Sequence, residues 1–217
     1  MASTLPTCRH HIVWQIAAGS LQAPIGVLAL QGDFREHAAS LKAIGREAVL
    51  VRKPADLEGL AGLIIPGGES TVISKLSTDT GLFEAIQALI ARGFPVFGTC
   101  AGLIMLADKL LDATPKQRSF GGLDVTVRRN AFGNQLDSFE TDLDFAGIEG
   151  PVHVAFIRAP LIESVGDGVH VVAKIASGGI VAVRQGNLLG IAFHPEITSE
   201  TRVHQLFADI CDAAKLN

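Results

Sequence analysis

The first half of the chain alternates short apolar runs with amphipathic stretches of helical periodicity. The apolar runs predict four strands: Ile25–Leu30, Glu47–Val51, Gly62–Ile65 and Pro95–Gly98. The amphipathic stretches predict helices over Arg35–Ile44, after Ser70, over Leu82–Arg92 and over Ala101–Leu111. This alternation is typical of right-handed βαβ units and of a largely parallel sheet that is covered on both faces.

The second half contains strand-like runs with few helices between them. These runs are Leu123–Arg129, Val152–Phe156, Val169–Ile175, Ile180–Gln185 and Leu188–Ala192. Gly178-Gly179 and Gly186-Asn187 are typical of hairpin turns, and a closing helix is predicted over about Arg202–Lys215. The pattern therefore predicts an α/β fold, a three-layer sandwich whose mixed, largely parallel sheet acquires antiparallel strands late in the chain.

Composition limits the classes of protein to which the chain can belong. The 217 residues suit one domain, and 48% apolar against 18% charged residues predicts a substantial core. A net charge of −4 gives no general attraction to nucleic acid or to anionic membranes. Three cysteines argue against a disulfide framework and favour the cytoplasm, and no metal-ligand spacing appears. We expect no nucleic-acid or membrane partner, no metal and no cofactor.

Residues 1–24 differ from the remainder of the chain because they contain no acidic residue and end at Pro24, just before a strand-like run. A disordered or non-native extension is the preferred interpretation, and a transit peptide is the weaker alternative because the stretch holds a single arginine. The predicted division is an extension over 1–24 and a single domain over 25–217.

Cys100 is the first candidate functional residue. It follows a predicted strand and precedes a predicted helix, and Gly98 and Gly102 permit a tight turn around it. A thiol at such a turn faces a helix N-terminus, where thiolates commonly have pKa values of roughly 3.5–7.5. The alternative is a buried structural cysteine, which is the better interpretation for Cys211, while Cys8 lies in the extension.

His194 and Glu196 follow another predicted strand. Side chains two residues apart in an extended segment point the same way, and Pro195 favours that geometry for His194. Glu196 can then orient the imidazole, as the carboxylate of a catalytic triad does. Because parallel strands end at one sheet edge, Cys100 and His194 are expected to meet there, although alone His194 would be interpreted as a surface residue.

Pro66–Ser70 follows a third predicted strand and contains two adjacent glycines. The N–H of Gly68, together with the N–H of Ala101, could hold a developing oxyanion, and such donors are worth ~10²–10³ in rate each. The alternative is a tight loop that Ser70 caps. The remaining candidates are two arginines at strand ends, Arg129 and Arg158, which suit carboxylate binding but could equally be surface charges.

Four other histidines have no comparable neighbours and are predicted to be structural or solvated: His37, His153, His170 and His204. Of these, His37 is the one that could face the site, from the first loop.

The chain resembles the class I, or triad, glutamine amidotransferases in its Thr99–Gly102, Pro66–Ser70 and His194–Glu196 segments. More narrowly, further segments resemble the glutaminase subunits of pyridoxal 5′-phosphate synthase: Leu30–Asp33, Arg35–His37, Arg129–Gly133, Asp137–Glu140 and Phe156–Pro160. The likeness runs from Ile25 to about Asp212 and implies a flavodoxin-like sandwich. Residues 1–24 depart from the family, whose members usually begin at the first strand.

The resemblance implies that the chain hydrolyses L-glutamine to L-glutamate and ammonia. Cys100 would form a thioester, His194 would move protons, Glu196 would orient His194, and Gly68 and Ala101 would form the oxyanion hole. The residues that would contact glutamine are Gly68, Glu69, Ser70, Arg129, Ile157 and Arg158. Ammonia would pass to a (β/α)₈ synthase subunit in a large hetero-oligomer. We hypothesise that loop Gln31–Phe34 is the place where this partner organises the site.

Three alternatives remain at this stage. The first is a glutaminase that serves another synthase, for histidine or nucleotide biosynthesis, against which the Gln31–Asp33 and Phe156–Pro160 segments argue. The second is a cysteine hydrolase or deglycase, which has no evident need for Arg129 and Arg158. The third is a subunit that binds a partner without catalysis, which the intact Cys100 disfavours.

Overall fold

A computed structural model describes residues 22–114, 117–129 and 138–215. Its helices are α1 (Phe34–Ala43), α2 (Ser70–Asp79), α3 (Leu82–Ala91), α4 (Ala101–Leu106) and α5 (Arg202–Ala214). Its first six strands are β1 (Ile25–Leu28), β2 (Ala48–Val51), β3 (Gly62–Ile65), β4 (Val96–Thr99), β5 (Ala107–Leu111) and β6 (Leu123–Arg128). The remaining six are β7 (Ser138–Leu143), β8 (Val152–Ile157), β9 (Leu161–Val165), β10 (His170–Lys174), β11 (Ile180–Gln185) and β12 (Leu188–Ile191).

Ten of these strands form one mixed sheet in the order β2-β1-β3-β4-β12-β11-β9-β6-β5, with β10 paired to β11. The strands from β2 to β12 in that order are mutually parallel, and β11, β9 and β10 add antiparallel pairs. Strands β7 and β8 form a separate antiparallel hairpin. The prediction of a mixed, largely parallel sheet that becomes antiparallel late in the chain is confirmed.

The helices cover both faces of the sheet. Across the sheet, the chain moves in one direction from β1 to β2 and in the opposite direction from β3 to β4. Right-handed crossovers therefore place α1 and the α2–α3 pair on opposite faces. In agreement, α1 contacts α5, whereas α2 contacts α3 and α4. Strands β1, β3, β4 and β12 are buried along their whole length, as expected for strands packed on both faces.

The predicted helix Ala101–Leu111 is wrong in its second half. The helix ends at Leu106, and the next five residues form β5, which pairs in parallel with β6. All six residues of α4 are buried, so the helix has no polar face whose loss would mark its end in the sequence. Pairing with β6, a tertiary contact, decides the conformation of this segment.

Strands β7 and β9 were not expected from the sequence. Only one residue of each is fully buried, so neither has the apolar run that marks the other strands. Both hairpin predictions are confirmed, because β10 pairs with β11 across Gly178-Gly179 and β11 pairs with β12 across Gly186-Asn187. Residues 22–24, the end of the predicted extension, lie against the domain, where the Pro24 carbonyl accepts a hydrogen bond from Ala61.

Three neighbouring strands deliver the candidate motifs to one edge. β3 ends at Ile65 before Pro66, β4 ends at Thr99 before Cys100, and β12 ends three residues before His194. Their registers, Ile65 with Gly98 and Thr99 with Ile191, bring the three carboxyl ends level. The sheet therefore places all three motifs at its carboxyl edge, where α/β folds bind ligands.

Candidate active site

Cys100 occupies a strained turn between β4 and α4. Its φ of 49° and ψ of −101° are unusual for a residue with a side chain, and such strain concentrates at functional sites. A Cβ on Gly98 would lie 2.5 Å from the Gly102 carbonyl carbon, and a Cβ on Gly102 would meet the Ile65 carbonyl oxygen. The two glycines therefore let α4 pack directly on the strands, so that the turn can form.

The His194 imidazole links the Cys100 sulfur to the Glu196 carboxylate. Its Nδ1 lies 2.7 Å from Oε1 of Glu196, whose side chain is fully buried. The segment is held against the β7–β8 hairpin, because the His194 N–H donates to the Ala155 carbonyl at 2.8 Å. The Glu196 carboxylate thus reaches back to the His194 ring, as the extended geometry expected before Pro195 predicts.

Electrostatics favour the charged form of His194. Burial opposes the imidazolium, but hydrogen bonds to the Cys100 sulfur and to Glu196 outweigh it and raise the pKa of His194 to about 10. Burial also raises the pKa of the Glu196 carboxyl, and its bond to His194 acts in the opposite direction. The three groups thus form a series in which an imidazolium lies between a sulfur and a carboxylate.

A cavity of about 490 Å³ opens beside the sulfur. It is lined by all the predicted site residues except Glu196, which lies behind His194: Gly68, Glu69, Ser70, Cys100, Ala101, Arg129, Ile157, Arg158 and His194. Gln31, Asp33, Ile104 and Ile197 complete the lining. The structure therefore brings the predicted residues together around one space large enough for a small molecule.

Arg129 and Glu69 form a charged pair on the cavity wall. Nη2 of Arg129 donates to Oε1 of Glu69 at 3.1 Å, and the Arg129 side chain is only 13% exposed. Its Nε is buried and has no hydrogen-bond partner within the described parts of the chain. Both residues line the cavity, so Arg129 brings a positive charge to this wall and Glu69 a carboxylate beside it.

The structure also shows what shapes the glycine loop. Gly68 has a φ of +142°, and the Gln31 side-chain oxygen accepts a hydrogen bond from the Glu69 N–H at 2.8 Å. The Asp33 N–H donates to the Gly67 carbonyl at 3.3 Å. Loop Gln31–Phe34 thus contacts the backbone that carries the proposed oxyanion donor at Gly68.

The alternative in which Ser70 caps the following helix is wrong. Helix α2 begins at Ser70 itself, and the Glu69 carboxylate accepts from the Thr71 N–H at 3.2 Å. The Ser70 hydroxyl is buried and accepts instead from Gln117 at 2.9 Å. Because the helix begins at Ser70, the N-cap position is Glu69, and its carboxylate takes the role expected of the Ser70 hydroxyl.

Two further titratable groups, which sequence reasoning did not assign to the site, lie next to His194 and Glu196. Asp33 Oδ2 lies 3.5 Å from His194 Nδ1, and His37 Nε2 lies 3.6 Å from Glu196 Oε1. Asp33 belongs to a segment that was noted only for its resemblance to the family. His37 was predicted to be structural or solvated, or to face the site from the first loop, and it lies on α1. Asp33, His194 and Glu196 offer ligand atoms within 4.8 Å of one another, but the imidazole nitrogen already has Glu196 as its partner.

The remaining histidines and cysteines have other surroundings. His153 is half exposed between Asp142 and Glu140, whose carboxylates raise its pKa. Burial raises the pKa of Cys211 to about 12, in agreement with a core thiol. Cys8, and residues 130–137 with the Asn130–Gly133 part of one family motif, lie outside the described residues.

Comparison with known proteins identifies the family. The model of the SNO glutamine amidotransferase family matches residues 27–213. The chain belongs to this family. It is 55% identical over 190 residues to a pyridoxal 5′-phosphate synthase subunit PdxT from a Nocardioides species, covering 86% of this chain and 94% of the relative.

Solved structures agree with this family assignment. A crystal structure of a glutamine amidotransferase superposes with a TM-score of 0.82 at 47% identity, covering 87% of this chain and 98% of the other. PurLQS from Thermotoga maritima superposes with a TM-score of 0.61 at 17% identity, covering 86% of this chain and 98% of the matched chain, and shares the fold alone. The amidotransferase fold predicted from sequence is confirmed.

Proposed function

We propose that this chain is a glutaminase subunit of pyridoxal 5′-phosphate synthase. In it, Cys100, His194 and Glu196 catalyse hydrolysis of the side-chain amide of free L-glutamine. The observation that carries the assignment of residues is the series of sulfur, imidazolium and carboxylate at the wall of the 490 Å³ cavity. A sulfur paired with an imidazolium is a nucleophile, and its partner holds the proton that the leaving group needs.

The reaction begins when the Cys100 sulfur attacks the amide carbonyl and pushes an electron pair onto its oxygen. The N–H groups of Gly68 and Ala101 donate hydrogen bonds to that oxyanion. As the intermediate collapses, His194 gives its proton to the departing nitrogen, so that ammonia leaves and a glutamyl thioester remains. His194 then removes a proton from water, which attacks the thioester and releases glutamate.

The cavity wall suits a free amino acid. The Arg129 guanidinium can bind the α-carboxylate, and the neighbouring Glu69 carboxylate can bind the α-ammonium. Arg158, whose φ of 45° is unusual for a side-chain-bearing residue, and Ile157 close the wall near the sulfur. The Ile157 carbonyl oxygen lies 4.0 Å from Sγ, so this part of the wall is in contact with the nucleophile.

Ammonia passes, in this proposal, to a (β/α)₈ synthase subunit in a large hetero-oligomer in the cytoplasm, where reducing conditions keep the thiol free. The synthase acts on the glutaminase through loop Gln31–Phe34, which contacts the backbone at Gly67 and Glu69. Equal glutamine turnover with and without the synthase would rule out this coupling.

The alternative of a glutaminase for another synthase has weaker support. The similarity to PurLQS at 17% identity concerns the fold, whereas relatives 55–56% identical over most of the chain are named as PdxT subunits.

Among the helices of the described residues, none has the length and apolar character that a membrane span requires.

The test is ammonia release from glutamine by the wild type and by Cys100→Ala, each with and without a pyridoxal 5′-phosphate synthase subunit. Cys211→Ala is the matched control, because it removes a thiol of the core instead of the cavity. We expect Cys100→Ala to lose at least three orders of magnitude in turnover and Cys211→Ala to lose little. Turnover that survives in Cys100→Ala would refute the assignment of the nucleophile.

A further inference from the structure

A second set of buried polar side chains lies behind the triad. His37 of α1 is fully buried, and its Nδ1 lies 2.9 Å from Nε2 of His204 on α5. Its Nε2 lies 3.1 Å from the Thr99 hydroxyl and 3.6 Å from Glu196 Oε1. One imidazole thus contacts the residue before the nucleophile and approaches the carboxylate that orients the base.

Both imidazoles in this set are neutral. Burial and the neighbouring His204 and His194 lower the pKa of His37 well below its ordinary value. Burial lowers the pKa of His204 to about 4, although the Glu200 backbone acts in the opposite direction. Three titratable groups surround Glu196. They are His194, which carries the positive charge, the neutral His37, and Asp33, the residue before α1.

The Glu196 carboxylate favours a hydrogen on Nε2 of His37. A lone pair on Nε2 would point toward an anion 3.6 Å away, whereas an N–H there is attracted to it. With the hydrogen on Nε2, Nδ1 accepts from His204, and the Thr99 hydroxyl accepts from Nε2. Among the described residues, His194 is the one side chain that hydrogen-bonds the Glu196 carboxylate, and its Oε2 has no partner, so a second donor nearby matters for this buried group.

We propose that His37 is a positioning residue for the reaction at Cys100: its Nε2–H, set by His204 and Thr99, stabilises the Glu196 carboxylate so that its negative charge remains available to His194. His37 does not line the cavity and touches no substrate. The inference rests on the proposed roles of Cys100, His194 and Glu196. It predicts an effect on the chemical step and on ionisation, with none on substrate binding.

The test compares His37→Leu, which removes the donor, with His37→Gln, whose amide N–H can occupy the position of Nε2. The first measurement is the pH dependence of alkylation of Cys100 by iodoacetamide, followed on the peptide that contains Cys100. We expect His37→Leu to raise the midpoint by about one pH unit, since a donor to a charged group is worth roughly this much, and His37→Gln to restore much of it.

The second measurement is glutamine turnover by the complex with the synthase. We expect His37→Leu to lower kcat about tenfold and to leave KM unchanged, with partial rescue in His37→Gln. Thr99→Val, which removes only a hydroxyl, keeps the test decisive if His37→Leu fails to fold. It should shift the alkylation midpoint in the same direction, and Thr99→Ser should not.

The proposal is overturned if, in a folded His37→Leu protein, the alkylation midpoint moves by less than about 0.3 pH unit and kcat stays within twofold of wild type. It is equally overturned if His37→Gln restores neither the midpoint nor kcat relative to His37→Leu. It is also overturned if ¹⁵N spectra show Nε2 of His37 without a hydrogen. These failures differ from failure of the proposed function. A shifted alkylation midpoint in a protein that releases no ammonia from glutamine would support the positioning role and refute the glutaminase assignment.

Discussion

Replacing Glu196 by glutamine isolates what the buried carboxylate contributes to the triad. The substitution keeps an oxygen that can accept from His194 Nδ1 but removes the negative charge 2.7 Å away. Charge centres roughly 4 Å apart at an effective dielectric constant of about 20 attract by about 4 kcal/mol, which corresponds to about three pKa units. The retained amide oxygen offsets part of this loss, so we expect a decrease of about two to three units in the pKa of His194.

Two assays follow from this shift. The pKa of His194, which is about 10 in the wild type, should fall and can be followed by NMR of the labelled imidazole. Ammonia release at mildly alkaline pH should fall by ~10²–10³, because the ring is then mostly neutral and lacks the proton for the leaving group. Thermal stability at neutral pH should also fall, because the substitution removes one partner of a buried ion pair and leaves the His194 imidazolium without it.

The reasoning would be refuted by a folded Glu196→Gln protein whose activity lies within tenfold of wild type. It would also be refuted if the pKa of His194 did not change, since the carboxylate would then not stabilise the imidazolium. Glu200→Gln is the matched control, because Glu200 lies on the same segment and pairs with Arg202 instead of His194.

Three further predictions concern other parts of the site. Gly102→Ala should destabilise the protein by several kcal/mol in denaturant unfolding, because its Cβ would overlap the Ile65 backbone carbonyl, and unchanged stability would contradict the close packing of α4. Arg129→Gln should raise the KM for glutamine at least tenfold in steady-state kinetics with a smaller effect on kcat, and an unchanged KM would exclude carboxylate binding there. The folded pKa of His194 is above its unfolded value, so its contribution to stability is complete below about pH 6.5 and disappears as pH rises through about 10. Urea unfolding should show a loss over that range that is smaller in Cys100→Ala.

The parallel half of the fold could be predicted because its strands are continuous apolar runs. Runs such as Gly62–Ile65 are buried on both faces, so their hydrophobicity reports their position directly. The end of α4 and strand β7 could not be predicted, because α4 is apolar throughout and β7 is mostly exposed. Their conformation depends on partners that are distant in sequence.

The meeting of Cys100 and His194 at one sheet edge could be predicted for a different reason. Cys100 and His194 each follow a strand of one parallel sheet, so topology brings them together without knowledge of side-chain packing. His37 and Asp33 could not be assigned in this way, because their distances to Glu196 and His194 depend on how α1 packs against the sheet. The pairing of His37 with His204 joins two helices 167 positions apart in sequence, which no local pattern indicates.

The most direct test of the central claim uses a glutamine analogue that carries an electrophilic carbon in place of the side-chain amide. Intact-protein and peptide mass spectrometry of the complex with the synthase should show one label per chain, on Cys100, with loss of glutaminase activity in proportion to labelling. Free glutamine should protect against the label, and Cys100→Ala should take none. Inactivation that leaves Cys100 unmodified, or a label on another residue, would contradict the account.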